Sequence, residues 1–294
     1  MQDIKSGYVA IIGRPNTGKS TFLNNILEQH IAAVCHRPET TRNRILGIYN
    51  DRGCQIIFMD TPGIHKPQHE LGRKMVRAAW DAGGEADIVL LFIDARGVTS
   101  DDINLFKKIK DWKQNKLLAI NKIDLIQKSK ILKIIEECKK ICEFDEHLPL
   151  SALNREDVSF VTGVIKKYLP PGPRYFPIDQ ITDKDDRFIA SEIIREEALW
   201  QLQEEVPHAV AVVVEEFKRR EAKDLLYIRA TIYVERSSQK AIVIGQRGMR
   251  LKSIGEKSRI KLEGYFGQKV YLDLWVKVEK NWRKNRVFLK RIGI

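Results

Sequence analysis

YVAIIGRPNTGKSTFLNN (residues 8–25) decides the fold, because it reads as a strand, a tight loop and the start of a helix. The run YVAIIG (8–13) is short, apolar and unbroken, as in a strand covered on both faces of its sheet. GRPNTGKS (13–20) then satisfies the spacing G-x-x-x-x-G-K-[ST], with the strand before it and the helix after it that this motif requires. Glycines at 13 and 18 let the backbone curl until its N–H groups and the helix N-terminus point at one anion. Lys19 is placed to reach the β and γ oxygens of a nucleotide, and the Ser20 hydroxyl to ligate Mg²⁺. Arg14, Pro15, Asn16, Thr17, Gly18 and Thr21 complete the stretch expected to wrap the phosphates.

Outward from this loop, short apolar runs alternate with helical patterns as far as residue 168. RILGIYN (44–50), CQIIFMD (54–60), IVLLFID (88–94), LLAINK (117–122) and HLPLS (147–151) read as strands. Helical patterns cover 19–29, 71–83, 101–113, 128–141 and 157–168. This alternation predicts an α/β domain with a mostly parallel, doubly wound sheet. Only Asp51, Arg52 and Gly53 separate 44–50 from 54–60, so one edge strand should run antiparallel.

LPPGPRYFP (169–177) cannot continue a helix and reads as a linker. Beyond it come a helix (187–205), strands (209–217 and 226–235), a helix pair around 239–265, a strand (269–278) and a terminal helix (281–291). That order, α–β–β–α–α–β, predicts a smaller α+β domain. The expected division is a nucleotide domain at 1–170, a linker at 171–182 and a second domain at 183–294.

Two further strand ends carry chemistry. DTPG (60–63) puts Asp60 where it can hold the Mg²⁺ shell through water, and the Gly63 N–H where it can meet a γ-phosphate. NKID (121–124) pairs an amide with a carboxylate: Asn121 for one edge of a guanine ring, and Asp124 to accept from its N1 and N2 hydrogens, with Lys122 between them. Adenine would leave that carboxylate unpaired, so GTP is expected over ATP. Ser151, Ala152 and Leu153 close the last strand, with the Ala152 N–H placed for guanine O6.

These elements, in this order and spacing, resemble the small translation-factor-related GTPases. On the match PETTRNR (38–44), the resemblance assigns the Mg²⁺-binding switch threonine to Thr41, with Thr40 as the alternative. The catalytic set it implies is Lys19, Thr41 and Gly63. Ras-like enzymes orient the attacking water with a glutamine just after DxxG. Ile64 stands there instead, so slow intrinsic hydrolysis is expected. Relatives with an apolar residue at that position often carry an asparagine in the phosphate loop, which in some helps bind potassium. Asn16 matches, which leaves a K⁺ site beside it open.

The net charge of +12 is unevenly spread. Residues 236–294 hold 16 basic and 4 acidic side chains, whereas 176–235 hold 8 and 14. So basic a region with folded periodicity suggests a polyanionic partner, nucleic acid ahead of anionic lipid. KAIVIGQRGMRLKSIG (240–255) resembles the GxxG loop of a type II KH domain. Its glycines allow close approach to a nucleic-acid backbone, and Arg247 adds charge. Ile244, Gly245, Gln246, Arg247, Gly248, Arg250 and Lys252 are the candidate RNA contacts. Trp275 and Trp282 are candidates to stack on bases, with core packing the competing role for Trp275.

The two halves together resemble the bacterial GTPases that carry a C-terminal KH domain. Besides the GTPase motifs, TTRNRILGI (40–48), RFIASEIIRE (187–196), VIGQRG (243–248) and LWVKV (274–278) carry the likeness. The resemblance implies a GTP-hydrolysing switch, using GTP/GDP with Mg²⁺, that assists small-subunit assembly by binding 16S rRNA near its 3′ end. Loops 37–44 and 60–70, expected near the linker, would relay nucleotide state to RNA affinity. Rival readings are a related GTPase whose basic end binds tRNA or the inner membrane, and a nucleotide-independent RNA-binding structural protein. A monomer is expected, in the cytoplasm, with a peripheral inner-membrane contact left open.

The composition agrees with a folded chain. At 294 residues, 43% hydrophobic and 31% charged, wholesale disorder is excluded. The longest apolar runs, IVLLFI (88–93) and AVAVVV (209–214), fall short of the roughly 18 residues a membrane span needs. MQDIKSGYVAIIGRPN shows no signal-peptide pattern. Cys35, Cys54, Cys138 and Cys142 lack metal or disulfide spacing and are expected as reduced, structural thiols.

Overall fold

The computed structural model describes residues 4–37, 39–67, 69–220 and 224–294. Contacts divide the chain into two compact units. The first comprises Met1–His30, Thr41–Pro67 and Arg73–Asp183; the second comprises Ile31–Thr40, Gln68–Gly72 and Lys184–Ile294.

Unit 1 is built on β1 (Lys5–Gly13), β2 (Ile45–Asn50), β3 (Cys54–Asp60), β4 (Ile88–Asp94), β5 (Asn115–Asn121) and β6 (Glu146–Leu150). They form one sheet in the order β2-β3-β1-β4-β5-β6, parallel except for β2, which runs antiparallel to β3 at the edge. Helices α1 (Lys19–Leu27), α2 (Glu70–Glu85), α3 (Ser100–Ile109), α4 (Lys128–Lys139) and α5 (Arg155–Tyr168) connect or follow the strands. Every residue of β3 and β4 is buried, which is why these strands read as unbroken apolar runs rather than as alternation. Phe22 of α1 packs at 5.9 Å from Phe58 and 5.3 Å from Phe92, joining helix to sheet. Burying each such ring contributes about 1.5–3 kcal/mol. The four cysteines are buried and joined by no disulfide. Burial pushes the Cys138 thiol up to about 12, so it stays protonated.

The connections place the functional loops. β1 lies between β3 and β4, where the strand order reverses, and its carboxyl end opens onto a crevice. GRPNTGKS, DTPG, NKID and Ser151–Leu153 all follow the carboxyl ends of parallel strands. Distant sequence segments therefore meet at one edge of one sheet.

The proline-rich stretch is a strap on unit 1, not a loose spacer. Prolines lack an N–H, but their carbonyls still accept: Pro170 from the Ser6 N–H at 3.1 Å, Pro173 from the Ser6 hydroxyl. Gln55, fully buried, accepts from the N–H groups of Tyr175 and Phe176 and donates to the Phe176 carbonyl. Further along, Ile48 N–H donates to Ile181, and Gly47 bridges Thr182 in antiparallel fashion. Residues 181–182 thus pair with the outer edge of β2 and protect it from intermolecular pairing.

Unit 2 contains α6 (Asp186–Gln201), β7 (Ala211–Arg220), β8 (Leu225–Val234), α7 (Ser237–Ile244), α8 (Met249–Phe266), β9 (Lys269–Val278) and α9 (Arg286–Arg291). β8 is central, antiparallel to β7 and parallel to β9. Leu226, Ile228, Ala230, Ile232 and Val234, at every second position, are completely buried on the side facing α6 and α8. The helix expected at 187–205 ends at Gln201, ahead of Pro207, which opens a 3-10 turn. The expected 281–291 helix is shorter too: a 3-10 turn at Trp282–Lys284 precedes α9, whose N-cap is Asn285.

Candidate functional site

The phosphate loop runs from the end of β1 to the start of α1. Gly18 has φ +97°, and a Cβ there would stand 2.0 Å from Asn121 Nδ2, so only glycine fits. The Lys19 Nζ, buried, donates to the carbonyls of Gly13 (3.3 Å) and Arg14 (2.7 Å). Burial lowers its pKa to about 8, opposed by Asp60 and aided slightly by Arg14. A desolvated ammonium at the mouth of a helix N-terminus is arranged for an anion that restores its lost solvation.

Three hard oxygens converge beside it. Ser20 Oγ lies 2.7 Å from Thr41 Oγ1 and donates to Asp60 Oδ2 at 2.7 Å. Two hydroxyls and a buried carboxylate at this spacing suit a small oxygen-seeking cation such as Mg²⁺. Between the two threonines the geometry chooses. Thr40 Oγ1 donates to the Arg37 carbonyl at 2.6 Å, whereas Thr41 faces Ser20. The DTPG turn presses against the phosphate loop: a Cβ on Gly63 would come within 2.5 Å of Pro15 N, and Ile64 N–H donates to Gly13 at 3.0 Å. The Ile64 side chain packs on the apolar core, so it offers nothing to an attacking water.

The segments expected to read the base brace the phosphate loop. Asn121 Nδ2 donates to the Thr17 carbonyl at 2.7 Å, and its Oδ1 accepts the Ala152 N–H at 2.8 Å. The Ala152 N–H expected at guanine O6 is therefore engaged with Asn121, and it reaches a base only by sharing or opening that bond. Lys122, left-handed at φ 69°, donates to the Asn16 carbonyl at 2.6 Å and pairs with Asp94 at 2.9 Å. Asp124 stands exposed on the 3-10 turn Ile123–Leu125. Asp157 fixes the Ser151 N–H at 2.7 Å, while Leu153 is exposed and Thr21 half-buried.

Two supports were not legible as site residues. Asp102, fully buried, accepts from Arg14 Nε at 2.7 Å while its other oxygen serves the Thr99 capping box of α3. The T-x-x-D spacing of residues 99–102 is a helix-start pattern and carries no sign of the bond to Arg14. Burial pushes the Asp94 carboxyl up, but Arg96 and Lys122 outweigh it and hold it well below the usual range.

In unit 2 the G-Q-R-G turn joins α7 to α8 with φ 72°, 50° and 77° at Gly245, Arg247 and Gly248. A Cβ on Gly245 would meet Arg250 Cβ at 2.7 Å, so the turn cannot carry a side chain there. Gln246 and Arg247 are exposed at its tip, with Ile244 half-buried behind them. Arg250 turns back to donate to the Ile242 carbonyl, which gives it a capping role at the end of α7. Lys252 is exposed, 3.9 Å from Glu256. Burial corrects the expectation for both tryptophans: Trp282 is unavailable for stacking, and Trp275 is not a core residue. Trp282 is completely buried and donates to the Ala209 carbonyl at 2.8 Å, whereas Trp275 is 55% exposed. The apolar partners of Trp275 in YLDLWVKV alternate to the other face of β9, so their pattern did not reveal where the indole points.

The fold and the two sites define a P-loop GTPase joined to a KH domain. Residues 8–122 match the family described as 50S ribosome-binding GTPase, and residues 205–283 match the KH domain. The curated GTPase Era of Syntrophus aciditrophicus (strain SB) is 44% identical over 290 residues, 98% of this chain and 95% of that protein. The chain is also similar to the crystal structure of Era in complex with MgGDPNP and nucleotides 1506–1542 of 16S ribosomal RNA, with a TM-score of 0.95, 42% identity and 99% of each chain covered. A variant of Aquifex aeolicus Era bound to GDP and AlF4⁻ matches with a TM-score of 0.95 at 41% identity, again over 99% of each chain. The chain belongs to the Era family of GTPases.

With Lys19 beside the phosphates, its lowered pKa should give nucleotide binding a pH dependence. Polyphosphate beside the ammonium favours its charged form and raises its pKa, so between about pH 8 and the bound value, binding takes up a proton. GDP affinity is expected to hold below pH 8 and to fall above it, approaching tenfold per pH unit. Calorimetry at pH 9 in buffers of different ionisation enthalpy should detect the proton uptake; its absence would refute the assignment of Lys19.

Proposed function

We propose that this GTPase uses its nucleotide state to control binding of the 3′ end of small-subunit 16S rRNA, and so assists assembly of that subunit. The observation that carries the reading is the convergence of Ser20, Thr41 and Asp60 beside buried Lys19, in a chain that also bears a G-Q-R-G turn. Lys19 would stabilise the β and γ oxygens, and the Gly63 N–H would meet the γ-phosphate as water attacks. Mg²⁺, when bound, would neutralise charge on the same oxygens, held by Ser20 and Thr41 and, through water, by Asp60. Asp124 would select guanine, with Asn121 as the brace that sets its distance from the phosphates. Asn16, exposed at the apex of the loop, is the candidate for a K⁺ site.

Coupling would pass through the backbone. Thr40 and Thr41 are consecutive residues assigned to different compact units. Within unit 2 the Val34 N–H donates to Glu196 at 2.6 Å, and its carbonyl accepts from Trp200 at 3.1 Å. A nucleotide-dependent movement of Thr41 would therefore pull on a segment secured to α6. The working location would be the cytoplasm, with the chain a monomer. No helix among the described residues is long and apolar enough to cross a membrane.

The test is RNA affinity at fixed salt, with GDP and with a non-hydrolysable GTP analogue, on a 3′-terminal small-subunit rRNA oligonucleotide. Tighter binding with the analogue supports the switch; equal affinity removes it. Arg247→Ala should weaken this RNA with either nucleotide and reduce the salt slope by about one. An unchanged slope would remove Arg247 from the phosphate contacts.

A further inference from the structure

The sheet of unit 2 has a second face. α6 packs on β7 and α8 on β9, over the side bearing Leu226, Ile228 and Ala230; α7 also packs on β9, and the G-Q-R-G turn lies against α8. The intervening residues point the other way: Tyr227 and Arg229 on β8, with Tyr271, Asp273 and Trp275 opposite or beyond them on β9. α9 closes only one end of this face, where Phe288 packs on Tyr233 at 5.0 Å and Arg291 lies over the same ring. Tyr271 (58% exposed) and Trp275 (55%) remain open.

The open part is organised rather than merely apolar. Tyr227 and Tyr271 are direct cross-strand partners, their rings 5.8 Å apart and within 14° of parallel. Arg220 and Arg229 lie 5.0 and 5.9 Å from the Tyr227 ring centre. Asp273 accepts from Arg229 at 3.1 Å and from the Tyr227 hydroxyl at 3.3 Å, and Glu216 holds the other side of the guanidinium at 2.7 Å. These bonds fix the Tyr227 ring and the guanidinium in place, and Tyr271 stacks on the ring so held, so little order is lost there when a planar ligand adds to the stack. Lys218, Lys269 and Lys277 stand exposed on the same face. Lys218, Arg229 and Lys277 pair with the carboxylates Glu216, Asp273 and Glu215 on this face, and Arg220 and Lys269 add positive charge in excess of them.

We propose that this outer face of β8 and β9 is a second RNA site, which stacks unpaired bases of the strand that continues beyond the G-Q-R-G turn. The inference rests on the RNA-binding reading above and extends it. Exposed aromatic rings beside a guanidinium bind unpaired bases by stacking, and the lysines around them attract the backbone. β9 is the edge strand, so one strand of RNA rounds a single edge to pass from one face to the other. Tyr271 and Trp275 are four residues apart on one face, about 13 Å along the strand, which makes two separate stacking positions.

The experiment compares two RNAs on the full chain in the same nucleotide state: a short 3′-terminal oligonucleotide, and the same sequence extended with unpaired nucleotides at both ends. The extended RNA is expected to bind wild type more tightly than the short one. The double variant Tyr271→Ala, Trp275→Ala should lose on the order of thirtyfold for the extended RNA, from about 1 kcal/mol per stacked base, and almost nothing for the short RNA. Tyr271→Phe with Trp275→Phe should restore binding, because the rings return. Wild-type affinity of the alanine variant for the extended RNA overturns the proposal, as does an equal loss for both RNAs. Arg247→Ala separates the two readings. If it weakens both RNAs while the ring variant weakens neither, the second site fails and the KH reading stands; if wild type binds neither RNA, both fail.

Discussion

Lys19→Ala is expected to lower the rate of GTP hydrolysis by about 10²–10³-fold while leaving the fold intact. Removing one preorganised donor from a developing oxyanion has a cost of that order. Here the donor is an ammonium already desolvated between the Gly13 and Arg14 carbonyls. The unliganded protein should not suffer, since the substitution also removes a buried charge whose pKa is lowered to about 8. Lys19→Arg should not rescue, because a planar five-donor fork does not fit a position shaped for a compact ammonium. Single-turnover hydrolysis with a thermal melt of the unliganded variant checks both halves. A rate within tenfold of wild type would remove Lys19 from the catalytic set.

Trp282→Ala should destabilise unit 2 by about 3–5 kcal/mol, the range for emptying a buried indole position. Trp282 is completely buried, 5.7 Å from Phe288, and its indole N–H satisfies the Ala209 carbonyl. The variant leaves both a cavity and an unpaired buried carbonyl, so the loss should sit toward the upper end. Trp282→Phe keeps part of the volume and should lose less. Denaturant unfolding followed by RNA affinity tests this: the midpoint should fall, and rRNA binding with it. A loss under 1 kcal/mol would show that the buried Trp282 indole contributes little to the core.

The GTPase half of the architecture was legible because its chemistry is local. GRPNTGKS needs its own spacing and nothing else to curl around a phosphate, and the short gap at 51–53 announced the antiparallel edge. The parallel strands were legible for a related reason: a strand buried on both faces must be apolar along its whole length. In unit 2 that signal weakens. YLDLWVKV puts leucines and valines on one face and Tyr271, Asp273, Trp275 and Lys277 on the other, so Trp275 sits among apolar neighbours in the chain but not in space. Trp282, in a strongly basic tail, gave no periodic cue at all. Its burial follows from the 3-10 turn that brings it to Ala209.

The sequence by itself determined which chemistry each loop carries: the G-x-x-x-x-G-K-S turn, the amide and carboxylate of Asn121 and Asp124 at one strand end, an isoleucine rather than a glutamine at position 64, and the G-Q-R-G turn with its basic surroundings. Those properties depend on residue type and short spacing, which a linear chain states directly. Only the tertiary structure decided which threonine meets Ser20, that Asn121 and Lys122 tie the NKID loop to the phosphate loop, and that Asp102 holds Arg14. It also decided that the proline-rich stretch straps onto Ser6 of β1 and Gln55 of β3, and that residues 31–40 pack with unit 2 while Thr41 belongs to unit 1. Each of these is a contact between segments far apart in the chain, set by strand order and by which buried donor or acceptor still needed a partner, and neither is written in any local pattern.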